Sequence, residues 1–135
     1  MSAQKDTKHG LGRRKRAVAR VRLIPGKGRL VVNGKADKEF ESSEFHRTYM
    51  KAALVAGLPE GQADNFDVIA ITNGGGVSGQ RDAIRLGIAR AVLSLNQLAR
   101  PLLKPLGLLK RDDRRKERKK FGLHKARKGT QFSKR

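Results

Sequence analysis

A chain of 135 residues has room for one domain and one hydrophobic core of modest size. Its 32 Lys and Arg against 12 Asp and Glu leave a net charge of +20, which points to a polyanionic partner, with nucleic acid the leading candidate. The absence of cysteine excludes disulfides, thiolate metal sites and cysteine nucleophiles; no apolar run approaches the roughly 18 residues of a membrane span, and Met1–His9 lacks a secretory signal's apolar stretch, so a cytoplasmic location and no membrane partner are expected.

Residues 1–35 carry 11 Lys and Arg against Asp6 alone. Residues 1–10 are expected to form a basic N-terminal arm, followed by the run Arg13, Arg14, Lys15 and Arg16. From Ala17 to Ile24 the side chains alternate, with Ala17, Ala19, Val21 and Leu23 on one side and Val18, Arg20, Arg22 and Ile24 on the other. This period of two predicts a half-buried strand with its arginines outward. Pro25, Gly26, Lys27 and Gly28 supply turn chemistry, and Leu30–Val32 resume strand character before Asn33-Gly34, so the stretch reads as a β-hairpin.

Ser42 or Ser43 can cap a helix in which Phe45, Tyr49, Ala52 and Ala56 recur on one face, and Gly57 with Pro59 ends it. That face is expected in the core, covering a sheet. Phe66–Thr72 is nearly all apolar on both sides, as a central strand would be, and runs into Asn73 and Gly74-Gly75-Gly76. A helix follows, with Ile84, Ile88, Ala91, Leu95 and Leu98 as its apolar stripe, Arg85 on the flank and Arg90 opposite. One face is thus expected in the core and the other free to bind. Pro101 and Pro105 confine the next segment to a short, broken helix, and Gly107 marks the edge of a folded core spanning 11–109. Residues 36–109 balance eight basic with eight acidic side chains, whereas 110–135 set 13 cations against Asp112, Asp113 and Glu117. This last segment has no apolar stripe and reads as an extended basic tail. The order of elements predicts an α+β fold with helices on one side of a small sheet.

The glycine run between strand and helix suggests a phosphate cradle, because it exposes backbone N–H groups at the positive end of a helix. Its continuation as Val77-Ser78-Gly79-Gln80 lacks the Gly-Lys-Ser/Thr ending of a Walker loop, and the spacing fails G-x-G-x-x-G. A kinase-like site would need acidic residues for metal or base duty, and Asp82 and Asp67 alone lie nearby. An anion site for an RNA phosphate fits better. His9, His46 and His124 have neither metal-ligand nor triad spacing, so no catalytic residue, metal or cofactor is expected. Phe121 and Phe132 stand among cations with nothing apolar to pack on, which suits stacking against RNA bases.

Three segments resemble one family, the ninth protein of the small ribosomal subunit in its bacterial or organellar form. They are GRRKRAVARV at 12–21, GGGVSGQRDAIRLGIARAVL at 74–93 and RRKERKKFGLHKARKGTQFSKR at 114–135. The resemblance implies a two-layer α+β sandwich with a mixed sheet and a left-handed βαβ crossover. It implies a structural, non-enzymatic constituent of the subunit head that binds the 3′ major domain of 16S-type ribosomal RNA beside neighbouring head proteins. The rRNA-binding set comprises Arg13, Arg14, Lys15, Arg16, Arg20 and Arg22; Gly75, Gly76, Ser78, Gly79, Gln80, Arg81, Arg85 and Arg90; and, in the tail, Arg114, Arg115, Lys116, Arg118, Lys119, Lys120, Phe121, Lys125, Arg127 and Lys128. By the same resemblance Ser133, Lys134 and Arg135 approach the anticodon stem-loop of the peptidyl-site tRNA. The alternative from another class is a DNA-compacting or general basic chaperone protein, which would use the same arms without needing the glycine-loop helix.

Overall fold

In the computed structural model, which describes residues 7–134, five strands form one sheet: β1 (Lys8–Arg14), β2 (Ala17–Pro25), β3 (Leu30–Val32), β4 (Lys35–Ala36) and β5 (Phe66–Asn73). The helices are α1 (Asp37–Phe40), α2 (Glu44–Gly57), α3 (Val77–Leu95) and α4 (Arg100–Leu103). The alternation in β2 is realised as expected, with Ala17, Ala19, Val21 and Leu23 buried and Arg20 and Arg22 exposed. β1 pairs with it antiparallel, Gly10 opposite Val21 and Gly12 opposite Ala19. This strand was not foreseen, and it begins at Lys8, inside the stretch read as a basic arm.

The expected hairpin between β2 and β3 does not form. The sheet order is β1-β2-β5-β3-β4, so β5 lies between them, antiparallel to β2 and parallel to β3. The reason sits at Asp67, whose carboxylate accepts hydrogen bonds from the backbone N–H groups of Lys27 (2.8 Å) and Arg29 (2.9 Å) and from the Arg29 guanidinium (3.1 Å). Those donors, the Arg29 and Lys27 amides foremost, hold the Asp67 carboxyl below the usual aspartate value. The Pro25–Arg29 loop is thereby wrapped around the start of β5, too wide for a tight turn and wide enough to admit a strand. At the other end Asn33 bridges to Thr72, its Oδ1 accepting from the Thr72 amide (2.8 Å) and its Nδ2 donating to the Thr72 hydroxyl (2.9 Å). The buried hydroxyl of Thr72 is thus satisfied.

β3 and β5 are joined as a βαβ unit through α1 and α2, making the sheet mixed, and α2 and α3 pack on one face of it. α3 carries small residues every fourth position, Gly79, Ala83, Gly87 and Ala91, all buried. They admit β1 to near backbone contact: a Cβ on Gly12 would stand 1.7 Å from the Ala83 carbonyl oxygen, and one on Gly10 2.0 Å from that of Gly87. On its other side α3 receives α2, where a Cβ on Gly57 would meet Val92 at 2.6 Å. The core face of α2 is Met50, Ala53, Leu54 and Gly57, not the set read from the sequence. Phe45 is 74% exposed, and Tyr49, Ala52 and Ala56 are half-buried. Both sets have helical spacing and both contain small residues; the close approach to α3 is made at Gly57. Leu98, expected to close the α3 stripe, lies beyond the helix end at Leu95 and is 81% exposed. The sheet face away from the helices is open, so β5 is central in the sheet yet covered on one side only, with Ile71 exposed.

Candidate nucleic-acid interface

The glycine loop is shaped by backbone conformation and by close approach. Gly74 and Gly75 have φ of +71° and +66°, in the left-handed region open to glycine. A Cβ on Gly75 would come 3.0 Å from Ala17, and one on Gly74 2.8 Å from the Arg16 carbonyl oxygen, so the loop lies directly on the β1–β2 turn. Gly76 is the N-cap of α3, and the Gln80 side chain donates to the Gly74 carbonyl (3.1 Å), closing the loop from within the helix. Lys15 and Arg16, at the tip of that turn, therefore stand beside the N-terminus of α3. The chain after the core passes the same place. A groove of about 740 Å³ results, lined by Lys15, Arg16, Gly75, Gly76, Ser78, Gly79, Arg115, Lys116 and Arg118. Five cations from two segments surround a helix N-terminus with no acidic residue among the lining, an arrangement suited to a phosphate backbone.

A second charge cluster joins the tail to the core. Arg14, its side chain 12% exposed, reaches Asp82 on α3 with Nε (3.3 Å) and Asp112 with Nη2 (3.3 Å), and donates from Nη1 to the Arg114 carbonyl (2.7 Å). Asp82 also accepts from the Tyr49 hydroxyl (3.0 Å), which in turn accepts from Arg85 (2.8 Å), whose guanidinium stacks 4.3 Å over the Tyr49 ring. Asp82 and Asp67, the two carboxylates weighed for phosphoryl chemistry, are thus both engaged in holding the fold, and neither lines the groove. Among the described residues no group of three or more His, Asp and Glu is placed to hold a metal ion, and no helix is long and apolar enough to cross a membrane.

A family model described as ribosomal protein S9/S16 matches residues 12–135. The chain belongs to that family. It is 51% identical over 127 residues to the small ribosomal subunit protein uS9 of Trichormus variabilis, covering 93% of this chain and 90% of the relative. It is 47% identical over 133 residues to the uS9 of Cyanothece, covering 98% and 96%, and 49% identical over 126 residues to that of Nostoc punctiforme, covering 93% and 90%. These relatives are of bacterial, cyanobacterial type, and the family is a structural, non-enzymatic one.

Against this S9-family frame the residues singled out in the sequence fall into four places. Lys15, Arg16, Gly75, Gly76, Ser78, Gly79, Arg115, Lys116 and Arg118 meet in the groove. Arg13, Arg20 and Arg22 stand exposed on the open sheet face, where Arg20 lies in register between Leu11 and Ile71. Arg14, Arg81, Arg85 and Arg90 are turned to protein partners, Arg81 to Glu41 (3.3 Å) and Arg90 to the Leu11 carbonyl (2.7 Å). The face of α3 expected to be free is thus partly taken up by protein contacts, the helix packing against β1 on one side and α2 on the other while Ser78 and Ser94 stay exposed. Glu41 also accepts from the Ser43 amide and faces His46; partial burial pushes its carboxyl up, but those donors and Arg81 outweigh it and the net direction is down.

The tail residues make up the fourth place. No helix or strand follows Leu103 among the described residues. Arg114 pairs with Asp112 (2.8 Å), its hydrogen bonds holding that carboxyl well below the usual aspartate range. Glu117 pairs with Lys120 and with Arg127 (2.9 Å), and the His124 amide donates to the Lys128 carbonyl (2.8 Å). The stretch 117–128 thus folds back locally where an extended run was expected. Lys119, Phe121, Lys125, Lys128, Phe132, Ser133 and Lys134 are exposed. Arg135 and residues 1–6 of the expected arm lie outside the described residues. Asp82, Glu41 and Tyr49 were missed as organising residues; of the three only Asp82 carried a sequence signal, an acid between Arg81 and Arg85.

Proposed function

We propose that this S9-family protein is a structural constituent of the small-subunit head, residing in the ribosome, and that it binds the 3′ major domain of 16S-type ribosomal RNA. The observation that carries the reading is the convergence of the β1–β2 turn, the glycine loop and the tail on one acid-free groove. A general DNA-compacting protein has no need of that convergence. On this reading the core of 11–109, extended by β1 to Lys8, docks on the RNA. Residues 110–135 run outward along it beside neighbouring head proteins. Fully drawn out, these 26 residues span on the order of 80 Å. Ser133, Lys134 and Arg135 would then meet the anticodon stem-loop of the peptidyl-site tRNA. A hydroxyl, an ammonium and a guanidinium suit backbone contact that serves every tRNA.

The test is the salt dependence of binding to a 3′-major-domain RNA fragment. Five groove cations predict a log–log slope of about −4, and replacing Lys15 and Arg16 by Gln, or Arg115 and Lys116 by Gln, makes it shallower by about 2. Slopes that do not respond to either pair, or equal affinity for duplex DNA, overturn the reading. Removing the last three residues is expected to speed tRNA loss from the peptidyl site of purified subunits while leaving incorporation intact; the reverse pattern reverses the assignment of tip and stem.

A further inference from the structure

We propose that Arg14 is a positioning residue that sets where the tail leaves the core and lays the tail's first cations along the groove. The inference rests on the RNA-binding reading above and goes beyond it by assigning the device that aims the tail. Each nitrogen of the Arg14 guanidinium addresses a different acceptor: Nε the Asp82 carboxylate of α3, Nη2 the Asp112 carboxylate and Nη1 the Arg114 carbonyl. A planar fork serves three acceptors at once, which the single ammonium of a lysine cannot do. The core side of the clasp is itself fixed, since the Tyr49 hydroxyl holds the second oxygen of Asp82 at 3.0 Å.

The chain is then held at two nearby points. Leu108 is buried in the core, and four residues later Asp112 meets Arg14. Two such points define a direction, and the residues that come next, Arg115, Lys116 and Arg118, are those lining the groove. The clasp also accounts for an acid in the basic tail. Beside a polyanion Asp112 is unfavourable, yet it stands where Arg14 reaches. A cationic arm held in place loses less conformational entropy on meeting RNA than one free to wander.

That logic yields a sign test. Electrostatics alone predicts that Asp112→Asn, which removes a negative charge, tightens RNA binding; the clasp predicts that it weakens it by about threefold, as loss of a partly exposed ion pair would. The chain has no cysteine, so cysteines introduced at exposed Val55 and Lys119 in the full chain carry two spin labels whose separation can be measured directly. The expected result is a narrow distance distribution for the otherwise unaltered chain and a broad one for Asp112→Asn and for Arg14→Lys, with Asp112→Glu restoring part of the narrowness. Affinity for the 3′-major-domain RNA fragment is measured on the same proteins. A distribution that stays narrow in Asp112→Asn overturns the clasp, as does tighter RNA binding by that variant. Broadening by Asp112→Asn with no RNA binding by any of the proteins leaves the clasp standing and sinks the RNA-binding reading instead.

Discussion

Replacing Gly12 by alanine tests the packing of β1 on α3, on which the proposed interface stands. The new Cβ would lie 1.7 Å from the Ala83 carbonyl oxygen and 2.6 Å from the Gly87 nitrogen, where ordinary contact begins at 3.4 Å. Both obstacles are helix backbone, so no side chain can swing aside; β1 must lift away from α3 and forfeit dispersion contacts along the strand. Overpacking of a core costs about 1–3 kcal/mol, and a clash with backbone belongs at the upper end, about 3 kcal/mol. For a folded region of about 100 residues that lowers the melting temperature by on the order of 14 °C. Two other glycines separate steric from conformational causes. Gly34 has open space around it but φ of +80°, so Gly34→Ala carries left-handed strain alone, about 1 kcal/mol. Gly76 has open space and φ of −104° at the N-cap of α3, so Gly76→Ser stays within about 0.5 kcal/mol of the parent. Thermal unfolding followed by circular dichroism should rank the losses Gly12, then Gly34, then Gly76. A Gly12→Ala protein that melts with Gly76→Ser would refute the placement of β1 on α3.

Asp67→Asn should destabilise the protein at neutral pH, measured as a lower urea midpoint. Because the folded state holds the Asp67 carboxyl below 3.8, the advantage of the parent is present above that value and fades as pH falls through the lowered one; a gap that widens on acidification would contradict the loop-holding role. On α2, Met50→Ala should cost about 2–5 kcal/mol by opening a cavity, whereas Phe45→Ser, at an exposed position, should change unfolding free energy by less than about 0.5 kcal/mol. Equal losses at the two sites would return Phe45 to the core.

Much of the proposed interface is written locally in the chain. The alternation of Ala17–Leu23, the glycine run and the helix after it each depend on neighbours in sequence, and each stands in the structure where the pattern puts it. β1 escaped because its inward residues are Gly10 and Gly12: a strand that packs through absent side chains shows no apolar alternation, and its partner signal, Gly79, Ala83, Gly87 and Ala91, lies some 70 residues on. The two helical faces of α2 were equally periodic, and periodicity carries no information about which one finds a partner.

What only the tertiary structure decided is strand order and the fate of individual arginines. A loop of Pro25–Arg29 is compatible with a hairpin until Asp67, nearly 40 residues later, takes the loop amides and β5 occupies the gap. Likewise Arg14, Arg16 and Arg115 are alike as letters. Arg14 turns inward because Asp82 and Asp112 meet beside it, while Arg16 and Arg115 line the groove because no carboxylate does. The sequence by itself determined how much positive charge the protein carries and on which segments, since charge is a property of each residue; whether a given cation faces solvent or a carboxylate depends on long-range packing that brings residues up to 100 positions apart into contact.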